Sequence, residues 1–112
     1  VDLTGTKYFF GGGIMKIKWD TSIKTLNICD IKLNLKKVAL KDIRIFFLRS
    51  VYSKPSDIKT IESLKSAMKR GEPIPPILLE KHRGYYTIYD GNHRYYAALD
   101  LLGEKGSIYA WV

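Results

Sequence analysis

The sequence predicts an α+β fold, on three observations. Apolar residues in the first half recur every second position, those in two later stretches recur at helical spacing, and short apolar runs bounded by proline or glycine lie around them.

Taken in order, Val1 to Ile14 ends in Gly11-Gly12-Gly13, which favours neither helix nor strand, so residues 1–14 are expected to be a flexible segment. Met15 is expected to open the folded unit, residues 15–112, and the native chain as well. From there Met15, Ile17 and Trp19 alternate with Lys16, Lys18 and Asp20, a half-buried strand pattern. Leu26 and Ile28, then Ile31, Leu33 and Leu35, continue it across a break at Asp30. Val38, Leu40, Ile43 and the run Ile45-Phe46-Phe47-Leu48 add further short strands. Ile58, Ile61, Leu64 and Met68 then predict a helix, with Ser56 as N-cap and Gly71 as C-cap. Glu72-Pro73-Ile74-Pro75-Pro76 is stiff and extended, because each proline fixes its own φ and restricts its predecessor. It leads into the strand Ile77–Leu79, a turn at Lys81–Gly84 and a return strand from Tyr85 to Tyr89. Asp90-Gly91 breaks that strand, Asn92 to Leu102 reads as a second helix ending at Gly103, and Ser107 to Val112 closes as a strand.

Composition narrows the function. With 46% hydrophobic and 27% charged residues the chain reads as one globular domain. The single Cys29 excludes an internal disulfide framework and a multi-cysteine zinc site, and it is expected to be a small packing residue. No apolar run approaches the ~18 residues of a membrane span, so the expectation is a cytoplasmic protein without membrane contact. The net charge of +8 is uneven: residues 1–55 hold eleven Lys/Arg against four Asp/Glu, and residues 56–112 hold eight against seven. A basic half invites a polyanion, nucleic acid first, although lysine-rich solvent faces give the same sum and no run of five basic residues occurs.

The sharpest motif is Tyr89-Asp90-Gly91-Asn92-His93-Arg94 at a strand-to-helix junction. Gly91 permits a tight turn and a close backbone approach to a ligand. The first N–H groups of the helix point outward with the positive end of its dipole behind them, and His93 and Arg94 add donors suited to phosphate. The plain alternative is an Asp-Gly turn with Asn92 as N-cap and the basic residues facing solvent. Six tyrosines crowd this half, Tyr85, Tyr86, Tyr89, Tyr95, Tyr96 and Tyr109. They are expected to be core residues with polar tips rather than base-stacking platforms.

The order Ile74-Pro75-Pro76-Ile77-Leu78-Leu79, a hairpin, then Tyr89-Asp90-Gly91-Asn92-His93-Arg94-Tyr95-Tyr96-Ala97-Ala98 resembles the ParB N-terminal/sulfiredoxin superfamily. The resemblance covers residues 36–112, with Val38–Ile43 and the helix after Ser56 in the places of that family's first strand and helix. It implies a small α+β domain with a short mixed sheet, helices after Ser56 and after Gly91, and here an extra N-terminal β-rich segment. It also implies a nucleotide-phosphate site of Gly91, Asn92, His93 and Arg94, with a phosphate-binding lysine near Lys59.

Where sulfiredoxins carry their catalytic cysteine this chain has Asn92, and an amide is not that nucleophile, so sulfinic acid reduction is not expected. ParB segregation proteins bind CTP and carry a Glu-Arg-Arg type motif. The free serine kinases of the superfamily have Asp-Gly-His-His-Arg, which Asp90–Arg94 approaches most closely. Two carboxylates are therefore candidates for catalysis. Asp90 could orient His93, hold magnesium or act as a base, or simply cap the turn; Glu62 could face the same cleft, or simply pair with Lys65 or Lys69. No cluster has metal-ligand spacing. The resemblance and the basic half together imply a ParB-like, nucleotide-binding domain (ATP, ADP or CTP, with Mg2+) of a DNA-associated protein with a partition, regulatory or nuclease-like role. The alternatives are a small phosphotransferase or ATPase related to the serine kinases, and a partner-binding module. Nucleotide, nucleic acid and a second copy of the chain are the expected partners.

Overall fold

The computed structural model of the chain describes residues 16–45 and 49–112. The flexible segment expected at 1–14, the start expected at Met15 and most of the run 45–48 lie outside the described residues. The strands are β1 (Thr25–Ile28), β2 (Ile31–Ala39), β3 (Ile43–Arg44), β4 (Ile77–His82), β5 (Tyr85–Asp90) and β6 (Ser107–Trp111). The α-helices are α1 (Pro55–Lys69) and α2 (Asn92–Leu102), and single 3-10 turns occupy Leu40–Asp42 and Arg49–Tyr52.

The six strands form one mixed sheet in the order β1-β2-β6-β4-β5-β3. β4 is parallel to β6 and β3 to β5; the other neighbours are antiparallel. Paired residues share a face of a sheet. Val38 opposite Ile108 and Ala110 opposite Ile77 therefore put Val38, Ile77, Leu79, Ile108 and Ala110 on one side. Both helices contribute to the core with them: Ile61 and Met68 from α1, Tyr95 to Ala98 from α2. Pro75-Pro76, just ahead of β4, keeps the chain extended where it enters the middle of the sheet.

Several boundaries differ from expectation. Lys54, not Ser56, is the N-cap of α1, because Pro55 supplies the preset φ of the first helical position. Arg70 is the C-cap, with Gly71 beyond it at φ +77. The Gly71 and Glu72 N–H groups donate to Met68 and Ala67 carbonyls at 3.1 Å, a Schellman closure. Among the described residues the Ile17/Trp19 alternation makes a single bridge, Trp19 beside Ile74, where the flanking prolines have no N–H to extend a ladder.

Cys29 is exposed, not packed. It and Asp30 both have positive φ, 50° and 65°, and form the two-residue link between β1 and β2. Such a link matches the right-handed twist of the strands it joins. Of the six tyrosines, Tyr95 and Tyr96 are buried and Tyr85, Tyr86 and Tyr109 half-buried, whereas Tyr89 is 70% exposed.

Candidate functional site

β5 ends at Asp90 and α2 begins at Asn92, so the junction of strand and helix is Gly91 itself. Gly91 at φ +111 is the N-cap and Asn92 the first helical residue, so the alternative of Asn92 as N-cap does not hold. A glycine has no side chain to cap the helix, which leaves the outward N–H groups of the first turn without that partner. Tyr95 donates to the Gly91 carbonyl at 2.9 Å and closes the first helical bond. The requirement for glycine comes from inside the protein. A β-carbon at position 91 would lie 2.6 Å from Ile77 Cγ2, so the close approach is onto β4.

Arg94 lies one turn on. Its Nη1 donates to the carbonyls of Pro75 at 3.0 Å and Pro76 at 2.7 Å, clamping the entry to β4 against α2. Carbonyls of an extended proline segment need a donor from outside the ladder, and this fork reaches both. Burial pulls the guanidinium below the ordinary arginine pKa, with Asp90 opposing. Nη2 lies beside the Gly91 turn and 3.9 Å from the Asp90 carboxylate. That carboxylate is itself 69% exposed, so Asp90 faces solvent next to the turn.

His93 is the residue that the tertiary structure re-reads. Its Nε2 donates to Asp57 Oδ1 at 2.8 Å, and the ring of Tyr52 stands edge-on to it at 5.4 Å. An ionised carboxylate only accepts, so Nε2 carries a proton; the neutral ring then has its lone pair on Nδ1, whereas in the imidazolium Nδ1 donates as well. Asp57 was not anticipated as a site residue, although a signal for it existed. At about 100° per residue, Asp57, Ile61, Leu64 and Met68 form the stripe of α1 that faces inward, and Asp57 is its polar member. Ile58, expected on that stripe, is 51% exposed.

The two other expected residues on α1 are placed elsewhere. Lys59 is two residues from both Asp57 and Ile61, about 200° round the helix, and is exposed on the solvent side. Glu62 accepts from Lys65 at 3.0 Å and lines a cleft of about 240 Å³ with Arg49, Tyr52, Ile58 and Ile61. Lys65 reaches on to Asp100 Oδ2 at 3.2 Å, and Asp100 also accepts a two-pronged pair from Arg49, the Nη2–Oδ2 arm measuring 2.8 Å. Burial pushes the Asp100 carboxyl up, but the bonds from Arg49 and Lys65 outweigh it and hold it below the usual range.

The structure therefore brings together Asp90, Gly91, Asn92, His93, Arg94 and the unanticipated Asp57, and it separates Lys59 from them. Among the described residues no group of three or more His, Cys, Asp or Glu side chains has the arrangement of a metal site. No helix among them is long and apolar enough to cross a membrane.

No protein-family model matches the sequence, nor does any curated protein. Among solved structures the chain is similar to the crystal structure of a sulfiredoxin from Arabidopsis thaliana, with a TM-score of 0.54 and 23% identity. The match covers 68% of this chain and 80% of that one. The fold is thus of the ParB/sulfiredoxin kind, a small α+β unit with a six-stranded mixed sheet and two helices.

Proposed function

We propose that the turn at Gly91–Arg94 is a nucleotide-phosphate site in a ParB-like, DNA-associated protein. The observation that carries the reading is the meeting, at one turn, of an uncapped helix start with Arg94 Nη2 and the His93 ring, whose imidazolium form donates from Nδ1. First-turn N–H groups backed by the helix dipole attract an anion, and a guanidinium edge adds a charge-assisted donor. The likeness in fold to a sulfiredoxin supports it, since the superfamily uses this turn for nucleotide phosphates. Asn92 replaces that family's cysteine, so a sulfiredoxin's reduction is not part of the proposal. Asp90, exposed beside the turn, is the carboxylate best placed to hold a magnesium ion on the phosphates.

Thermal denaturation with ATP, ADP, CTP and GTP, with and without magnesium, tests this on the wild type and on His93→Gln. Saturation at about a hundredfold excess over Kd stabilises by about 2.7 kcal/mol, a rise of about 10 °C or more. The rise is expected to vanish in His93→Gln, and the preferred base distinguishes CTP use from adenine use. A wild type that shifts with none of the four would reduce the turn to a structural link.

The Asp57–His93 pair favours a second reading, a small phosphotransferase. An imidazole held by a carboxylate on Nε2 presents Nδ1 as a proton acceptor, the arrangement a general base requires. Nucleotide turnover lost in Asp57→Asn, with binding retained, would establish it. Binding without turnover in the wild type would exclude it.

A further inference from the structure

The β1–β2 hairpin is a two-stranded ribbon that outruns the rest of the sheet. Among the described residues β1 is the edge strand and pairs only with β2. β2 pairs with β6 from Leu35 onward, and Asn34 still exchanges backbone hydrogen bonds with Val112 at 2.9 and 3.0 Å. Among the described residues Ile31 to Leu33 pair with β1 alone, so the end of the hairpin stands clear of β6.

The register separates its two faces. Leu26 opposite Leu33 and Ile28 opposite Ile31 make one face apolar. Thr25 opposite Asn34 and Asn27 opposite Lys32 make the other polar, and Lys36, two residues beyond Asn34, extends it. All five polar-face residues are exposed. The face carries no carboxylate, and the ribbon's only acidic residue is Asp30 in its turn.

We infer that this polar face is a contact surface for duplex DNA, with Lys32 and Lys36 on phosphates and Asn27 and Asn34 available to base edges. The inference rests on the reading of the chain as DNA-associated and supplies the surface that reading lacks. Charge complementarity selects a polyanion, and the shape selects its form. Four residues at about 3.4 Å each set Lys32 and Lys36 about 14 Å apart along the ribbon, within side-chain reach of both sides of the ≈ 12 Å B-form major groove, which admits a two-stranded ribbon. A-form RNA offers only a deep, narrow major groove. Single strands call for stacking aromatics, and residues 25–39 contain none. The Cys29-Asp30 turn, with both residues at positive φ, fixes the register of the lysines and asparagines on that face.

The test is the salt dependence of binding by the full chain to a short mixed-sequence DNA duplex, with RNA duplex and single-stranded DNA alongside. Each phosphate contact contributes about 0.9 to the slope of log K against log salt. The double variant Lys32→Gln/Lys36→Gln is expected to flatten the slope by about 1.8. Lys69→Gln/Lys105→Gln, which removes the same charge from two exposed lysines elsewhere, is expected to change it far less. Equal flattening by the two doubles would overturn the ribbon as the contact surface while leaving DNA association intact, as would RNA duplex binding as tightly as DNA. A wild type that does not bind duplex at all would overturn both DNA association and the ribbon, leaving the nucleotide site to be judged by its own titration.

Discussion

Replacing Gly91 by alanine tests the account of the turn, because the structure separates two costs. The backbone at φ +111 is outside the region that a residue with a side chain adopts readily, a strain of about 1–3 kcal/mol. The new methyl would also lie 2.6 Å from Ile77 Cγ2 and 2.7 Å from its Cβ. Ile77 is fully buried in the sheet opposite Ala110 and has nowhere to withdraw, which adds about 1–3 kcal/mol of overpacking. Together these remove about 2–6 kcal/mol from a total that for a domain of this kind is about 5–15. At about 4–8 °C per kcal/mol the melting temperature is expected to fall by about 10 °C or more. Gly84→Ala is the comparison: its φ is +85, but no atom lies within 4 Å of the added methyl, so only backbone strain remains. Urea unfolding of both variants gives the difference directly. If Gly91→Ala loses no more than Gly84→Ala, the contact with Ile77 is not what requires glycine, and the space would have to be reserved for something outside the chain.

Arg94→Ala is expected to lose about 2–3 kcal/mol in urea unfolding, because the Pro75 and Pro76 carbonyls lose a charged donor. That loss of fold is why His93→Gln is the cleaner probe of nucleotide binding. Asp100→Asn is expected to destabilise by about 1–2 kcal/mol at neutral pH, by weakening the bonds from Arg49 and Lys65. The folded-state pKa of Asp100 is lowered, so its contribution is present above the unfolded carboxylate value of about 4 and is lost as pH falls below it. The acid limb of wild-type stability should therefore be less steep in Asp100→Asn. Trp111→Phe removes the indole N–H that donates to the Ile23 carbonyl at 2.9 Å, where the chain enters β1. It is expected to cost about 1 kcal/mol by thermal denaturation.

What the sequence determined by itself is local. Alternation at Leu26–Leu35, helical spacing at Ile61–Met68, the proline run before β4 and the Asp-Gly break before α2 each depend on neighbouring residues. They mark strands, helices and the turn to within a residue or two. Tertiary structure decided what the side chains at the turn do. His93 meets Asp57 across 36 positions of sequence, and Arg94 meets the Pro75 and Pro76 carbonyls across 19 and 18. Gly91 is held to glycine by a methyl group of Ile77, and Lys59, which the resemblance implies near a phosphate site, faces solvent because a helix turns about 100° per residue. A spacing pattern states which face of an element is apolar, but not which element packs against it or at what angle. Partners brought together across the core are set by that packing.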